Sequence, residues 1–217
     1  MNARTCLLML AVFSLLVVAP VSAQVLYEDG PINGQTDAWT INDGFVVSNT
    51  FTISTGASTV NGMSFGAWLF PGDVLESVQV IVTSREFGGT TYFDQVVPFS
   101  ASNCFTNQYG FNVCEETGSF VNGPTLADGT YWVNLANAVV NDGDPVYWDE
   151  NSGIGCHSQG CPSEVSQNSE GTIPAESFSI LGTSTSTTGT VPEPASLALV
   201  GGGFLAMAGT LRRRFYR

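Results

Sequence analysis

Apolar and polar residues alternate with a period of two along several segments of the chain, and this period is typical of β-strands with one buried face. The segment 77–83 shows it best, because Val78, Val80 and Val82 share one face. Sustained 3.6-residue periodicity is absent between the two terminal apolar runs. The pattern therefore predicts about eight strands, one near Trp39 and the others at 45–53, 59–70, 77–83, 90–97, 105–113, 131–135 and 176–181.

Turn-forming residues separate the predicted strands. Clusters of Gly, Asn, Asp and Pro occur at 42–44, 71–73, 88–89, 122–124, 128–129 and 141–143. Such residues favour tight turns between antiparallel strands. The sequence therefore predicts an all-β fold, a single jelly-roll-like β-sandwich over residues 24–182. The Thr/Ser-rich run 183–190 cannot bury a core, and we interpret it as a spacer.

The N-terminus has the three parts of a secretory signal peptide. Arg4 precedes an apolar run of 13 residues, 6–18, and the small-residue sequence Val21-Ser22-Ala23 follows. This run is too short to span a membrane, and a site of this kind is cleaved after its last residue. We therefore expect residues 1–23 to be removed during export.

A second apolar run of 17 uncharged residues, 195–211, lies near the C-terminus. As a helix it would cover roughly 25 Å, just enough to span a thin membrane. Arg212, Arg213 and Arg214 follow it directly, and the positive-inside rule places such a cluster in the cytoplasm. The run is therefore predicted to be a transmembrane helix, with the preceding chain outside the cell.

Pro192, Glu193 and Pro194 precede this helix. The order of triplet, apolar helix and arginine cluster over residues 191–217 resembles the PEP-CTERM sorting signal of bacterial surface proteins. The resemblance implies that exosortase, a membrane-embedded cysteine transpeptidase-like enzyme, processes the chain near the triplet. The helix would then be a transient anchor. The mature protein would reach the cell surface or an extracellular matrix, where association with polysaccharide in a biofilm or floc is expected.

The exported body is strongly acidic. Residues 24–191 contain 18 acidic residues and one basic residue, Arg85, which gives a net charge of −17 against −13 for the whole chain. No lysine occurs anywhere. Binding to nucleic acid or to an anionic lipid surface requires cations that this body does not have, so we exclude both as partners. Divalent cations could instead bridge the body to an anionic polysaccharide.

Four cysteines would survive export: Cys104, Cys114, Cys156 and Cys161. They allow three pairings, and disulfides are expected in an oxidising compartment. The short spacings favour Cys104 with Cys114 and Cys156 with Cys161. The alternative is a metal site that includes His157, although the spacings do not match the usual paired knuckles. His157 is also the one histidine that a catalytic triad could use, and an exposed loop residue is the simpler interpretation.

Four acidic residues are candidates for chemistry: Asp142, Asp144, Asp149 and Glu150. They could form solvated turns, hold Ca²⁺ through their oxygens, or include the carboxylate pair of a glycoside hydrolase. The EF-hand pattern is absent. Trp132 and Trp148 are candidates for a platform on which sugar rings stack. Trp132 alternates away from an apolar strand face, and Trp148 adjoins Asp149.

The leading hypothesis is a non-enzymatic surface or matrix protein that is structural or binds carbohydrate or Ca²⁺. The alternative is a secreted polysaccharide-acting glycoside hydrolase that uses two of the four carboxylates. A third hypothesis is a Ca²⁺-dependent adhesive module.

Overall fold

A computed structural model describes residues 23–151 and 165–184. The chain divides into two compact units, Met1–Thr185 and Ser186–Arg217, and all described residues belong to the first. The predicted signal peptide, the Cys156–Cys161 pair with His157, and the sorting signal lie outside the described residues.

The described residues form β-strands and no helix. The strands are β1 (Gln24–Asp29), β2 (Ala38–Thr40), β3 (Val46–Ile53), β4 (Ser58–Leu69), β5 (Leu75–Arg85), β6 (Gly88–Thr106), β7 (Asn112–Ser119), β8 (Thr125–Leu126), β9 (Gly129–Val140), β10 (Tyr147–Asp149), β11 (Val165–Gln167), β12 (Gly171–Thr172) and β13 (Phe178–Ser184). The all-β prediction is therefore confirmed over this part of the chain. β13 continues through the first two residues of the predicted spacer.

The strands pair into one curled sheet in the order β1-β13-β4-β7-β6-β5-β9-β3-β11-β12. β6 joins its two halves, because its first part pairs with β5 and its last part pairs with β7. The eight strands of six or more residues, numbered along the chain, follow the order 1-8-3-6-5-4-7-2. This order is the one expected for a jelly roll built from two Greek keys. The curled sheet is consistent with the predicted β-sandwich.

Alternation along the strands builds one hydrophobic core between the two halves. Val78, Val80 and Val82 of β5 are fully buried, as the two-residue period predicts. Phe65 of β4 and Phe51 of β3 contribute large buried rings from opposite halves of the sheet. Burial of apolar surface is the main force that holds such a fold together.

One strand, β4, is buried on both faces from residue 62 to its end. Gly66 makes this packing possible, because a Cβ at this position would lie 2.7 Å from Asp149 Cβ, 2.8 Å from Ser177 Oγ and 2.9 Å from Ile32 Cγ2. The outer face of β4 is therefore covered by neighbouring chain rather than by water. This covered face positions the side chains around Asp149.

The predicted strand 105–113 is wrong. β6 ends at Thr106 and β7 begins at Asn112, so a hairpin turn interrupts the segment. Asn107 Oδ1 accepts hydrogen bonds from the backbone N–H groups of Tyr109 and Phe111, each at 3.0 Å, and Gly110 has a φ of 88°. An asparagine side chain that bonds its own backbone replaces the strand ladder at this point.

Cys104 of β6 and Cys114 of β7 form a disulfide across this hairpin. The predicted pairing of these two residues is therefore confirmed. It ties together two strands of the same sheet half.

Candidate metal centre

Two turns meet at one end of the sandwich because of the strand register. β5 and β9 are antiparallel, and Leu75 near the start of β5 lies opposite Val140 at the end of β9. The turn before β5 and the turn after β9 therefore lie side by side. Asn141 Oδ1 links them by accepting a hydrogen bond from the backbone N–H of Val74 at 2.8 Å.

These turns bring together Asp73, Asp142 and Asp144, which we call the three-aspartate site. One carboxylate oxygen of each residue lies within 4.8 Å of the others. Asp73 is only 7% exposed, and its Oδ2 has no hydrogen-bond partner within the described part of the chain. Burial raises the pKa of Asp73 most, and a hydrogen bond from its protonated form to Asp142, followed by the charges of Asp142 and Asp144, raises it further. The three carboxylates therefore repel one another unless a proton or a cation neutralises them.

The geometry of the three-aspartate site fits a hard divalent cation. Ca²⁺ takes 6–8 oxygen ligands at about 2.3–2.6 Å, so two ligands of one ion are at most about 5 Å apart. Three aspartates supply part of that set, and backbone oxygens and water can complete it. In residues 23–151 and 165–184, no other three acidic, histidine or cysteine side chains bring their ligand atoms this close together.

Asp149, a predicted ligand, is not part of this site. Its carboxylate accepts hydrogen bonds from Trp68 Nε1 at 2.6 Å, Asn33 N at 2.9 Å, Gly34 N at 3.0 Å and Ser177 Oγ at 3.0 Å. Burial raises the pKa of Asp149, and these four donors oppose that effect. The carboxylate thus anchors the segment around residues 33–34 to the outer face of β4.

Glu150 also lies away from the three-aspartate site. Its Oε2 accepts a hydrogen bond from Trp39 Nε1 at 3.3 Å, and its backbone N–H donates to Asp37 O at 2.9 Å. Only 5% of the residue is exposed. The four predicted carboxylates therefore separate into two that converge, Asp142 and Asp144, and two that support the fold.

The two tryptophans predicted as a platform occupy different environments. Trp148 is completely buried, its Nε1 donates to Ser177 O at 2.9 Å, and its ring packs edge-on against Phe65 and Phe178. As a core residue it has no face open to a ligand. Trp132 is half-buried, and its Nε1 is buried without a partner within the described residues. The rings of Trp132 and Trp148 therefore do not form a shared surface.

A different set of rings forms a continuous row, which we call the aromatic strip. Trp68 contacts Tyr109 and Phe111, each with ring centroids 5.7 Å apart. Phe111 in turn lies 5.0 Å from Phe70 and 5.6 Å from Tyr147. The strip leads toward the three-aspartate site, since the backbone carbonyl of Phe70 accepts a hydrogen bond from the N–H of Asp73 at 3.1 Å.

Two further acids are fully buried. Neither carboxyl oxygen of Glu116 or of Glu176 has a hydrogen-bond partner within the described residues. Burial raises the pKa of Glu116 to about 7. Burial, followed by the charge of Glu150 and other nearby carboxylates, raises the pKa of Glu176 well above its ordinary value. Both side chains therefore keep their proton to a higher pH than an exposed glutamate does.

Sequence reasoning missed Asp73 and the aromatic strip. The turn at 71–73 was recognisable, but only the pairing of β5 with β9 reveals that it lies beside the turn at 141–143. Four rings of the strip come from the predicted strands 59–70 and 105–113, and the fifth is Tyr147. The sequence signal for an exposed hairpin tip at Tyr109 is the pair of turn-forming residues Asn107 and Gly110.

The C-terminal segment of the chain matches a protein-sorting signal. A family model described as the PEP-CTERM protein-sorting motif matches residues 190–214, which confirms the resemblance at 191–217. The motif implies an exported protein that is anchored at its C-terminus before processing. No curated protein and no solved structure matches the chain. Within the described ranges no helix has the length and apolar character needed to cross a membrane, and the predicted helix 195–211 lies outside them.

Proposed function

We propose that the protein is a bacterial surface or matrix component that exosortase processes and whose β-sandwich binds Ca²⁺ at the three-aspartate site without catalysing a reaction. The match of the sorting motif to residues 190–214 carries the first part of this proposal. The signal-peptide pattern of residues 1–23 supports it independently, because both features route the chain out of the cytoplasm.

The sorting part can be tested by changing only the triplet. Replacing Pro192, Glu193 and Pro194 by alanine leaves the apolar run and the arginines in place. In an exosortase-containing host, the wild-type chain should be shortened and leave the membrane fraction, whereas the variant should stay there at full length. A host without exosortase serves as the control, because the wild type should behave like the variant in it. Equal processing of both chains in the first host would contradict the proposal.

The Ca²⁺ part rests on the carboxylates of the three-aspartate site. Asp73 is buried and lacks a hydrogen-bond partner for Oδ2 in the described structure, so a cation would relieve both its desolvation and its repulsion by Asp142 and Asp144. Extracellular modules often bind Ca²⁺ with dissociation constants of about 10⁻⁴–10⁻³ M. Such an ion would join the turn before β5 to the turn after β9 and stabilise that end of the sandwich.

Isothermal titration of the full-length chain in mild detergent with CaCl₂ tests this site. We expect sub-millimolar to millimolar binding, and Asp142→Asn should weaken it more than about tenfold, because the exposed Asp142 supplies a ligand but no core contact. Asp94→Asn is a matched control, since it removes the same charge from an exposed position on β6. Equal affinities of Asp142→Asn and the wild type would refute the site.

The non-enzymatic part distinguishes this proposal from a glycoside hydrolase. Paired catalytic carboxylates must flank the scissile bond and be free to reach it. The engagement of Asp149 with four donors supports a structural role for that residue. A sugar-release assay on acidic and neutral polysaccharides should give no product. If the wild type releases sugar and the double variant Asp142→Asn, Asp144→Asn does not, the protein is a glycoside hydrolase instead.

A further inference from the structure

Tyr109 presents one face of its ring to solvent while the other face is covered. The ring stacks on Trp68 with centroids 5.7 Å apart and an interplanar angle of 27°. The residue is nevertheless 59% exposed. Beneath it, Trp68 is 5% exposed and its Nε1 is held by Asp149 at 2.6 Å. The hairpin tip thus displays a flat aromatic face on a fixed support.

The backbone around Tyr109 is also fixed. Asn107 Oδ1 accepts hydrogen bonds from the backbone N–H groups of Tyr109 and Phe111, and Asn107 O accepts one from Gly110. Gln108 Nε2 donates to Gln35 O at 2.9 Å, which ties the tip to the segment before β2. Little conformational freedom is left for a ligand to remove, so stacking on this ring has a small entropic cost.

Polar groups border the aromatic strip at both ends. The exposed Gln108 adjoins Tyr109, and its amide oxygen is an acceptor at this end of the strip. At the other end, the carboxylates of the three-aspartate site follow Phe70 and precede Tyr147 in the chain, because Asp73 donates its backbone N–H to Phe70 O and Asp144 lies three residues before Tyr147. Amides and carboxylates are hydrogen-bond partners for hydroxyl groups. The body has one basic residue and a net charge of −17, so this surface repels an anionic polymer.

The aromatic face of Tyr109 is bordered by groups that accept hydrogen bonds from hydroxyl groups. Together with the acidic character of the body, these features favour a ligand that is uncharged and rich in hydroxyl groups. We propose that the aromatic strip is a binding surface for an uncharged polysaccharide, with Tyr109 as the ring on which a sugar stacks. The apolar C–H face of the sugar would lie on Tyr109, and its hydroxyl groups would bond the amide of Gln108 and the carboxylates at the other end of the strip. The inference rests on the proposed function in one respect: that function places the protein outside the cell, where such a polymer occurs.

Affinity gel electrophoresis of the full-length chain in mild detergent provides the test. Gels contain hydroxyethylcellulose, the neutral β-glucan laminarin or the carboxylated polymer polygalacturonate. Tyr109→Ala removes the exposed ring, and Tyr92→Ala is the matched control, because Tyr92 is an exposed tyrosine that packs edge-on against Tyr131 away from the strip. Thermal melts of both variants show whether the fold is kept.

We expect a neutral polysaccharide to retard the wild type and Tyr92→Ala, and Tyr109→Ala to bind more than about fivefold more weakly with an unchanged fold. Equal retardation of Tyr109→Ala and the wild type would overturn the inference, as would retardation by polygalacturonate alone or by no polymer. If Tyr109→Ala no longer folds, Tyr109→Phe replaces it: this variant keeps the ring and should bind like the wild type, and loss of binding would overturn the stacking role. Exosortase processing and Ca²⁺ binding are measured by other assays. A negative result for the proposed function is therefore distinguishable from a negative result for polysaccharide binding.

Discussion

Replacement of Glu116 by glutamine should remove a pH-dependent penalty from the folded state. Glu116 lies on β7 opposite Phe65, it is completely buried, and neither of its carboxyl oxygens has a hydrogen-bond partner in the described structure. Burial raises the pKa of Glu116 from 4.5 to about 7. Glutamine has nearly the same shape but carries no charge at any of these pH values.

The sign and the size of the effect follow from proton linkage. As pH rises above about 4.5, the unfolded chain gives up the proton while the folded chain keeps it until about pH 7. The free energy of unfolding of the wild type therefore falls between about pH 4.5 and pH 7. Above about pH 7, ionisation of Glu116 causes no further loss. Each pH unit in the window corresponds to about 1.4 kcal/mol, so the total loss is up to about 3 kcal/mol.

Urea unfolding followed by tryptophan fluorescence measures this difference in the full-length chain. The stability of Glu116→Gln relative to the wild type should increase by up to about 3 kcal/mol between pH 4.5 and pH 8. The cost of burying the glutamine amide is the same at both pH values, so it cancels when the two stability differences are subtracted. Glu76→Gln, at an exposed position on β5, is the control and should follow the wild-type profile. A constant stability difference between Glu116→Gln and the wild type at every pH would refute the reasoning.

Three other changes test separate parts of the structure. Gly66→Ala should lower the free energy of unfolding by about 1–3 kcal/mol, because its Cβ would overlap three close side chains, and a thermal melt that matches the wild type would contradict this packing. Asp73→Asn should raise the melting temperature without Ca²⁺, since it relieves carboxylate repulsion, and should abolish any rise caused by added CaCl₂; an unchanged response to the ion would count against the site. Replacing Cys104 and Cys114 together by alanine should cost about 2–3 kcal/mol of stability in a non-reducing denaturation assay, because the disulfide closes a short loop. When both proteins are reduced, the wild type should match the variant, and a difference that persists would contradict this role.

The fold class could be predicted because alternation is a local property of the chain. Val78, Val80 and Val82 alternate with residues of the other face, and the structure buries all three on β5. The segment 105–113 misled the same reasoning, because its apolar residues continue the pattern across a turn. There the hydrogen bonds of Asn107 decide the conformation, and they outweigh the β-propensity of the neighbouring phenylalanines.

The candidate site depends on contacts that are remote in sequence. Asp142 and Asp144 were recognisable as an acidic turn, whereas Asp73 joins them only through the register of β5 and β9. Asp149 looked equivalent to them in sequence, yet β10 carries it to the outer face of β4, where backbone and side-chain donors surround it. Pairing register and strand order are global properties, so composition and spacing could not separate these aspartates.

The position of β13 has a mechanical consequence. This last strand of the body lies between β1 and β4 and is hydrogen-bonded to both, with Gln24 opposite Gly182. The chain continues from β13 toward the sorting signal, so tension on an anchored protein enters the sandwich through this strand. A pull along β13 loads two ladders of hydrogen bonds in shear at once, whereas an edge strand would be peeled away from a single neighbour. The body is thus joined to the sorting segment through an inner strand of the sheet, so force transmitted along the chain must break both ladders before β13 separates.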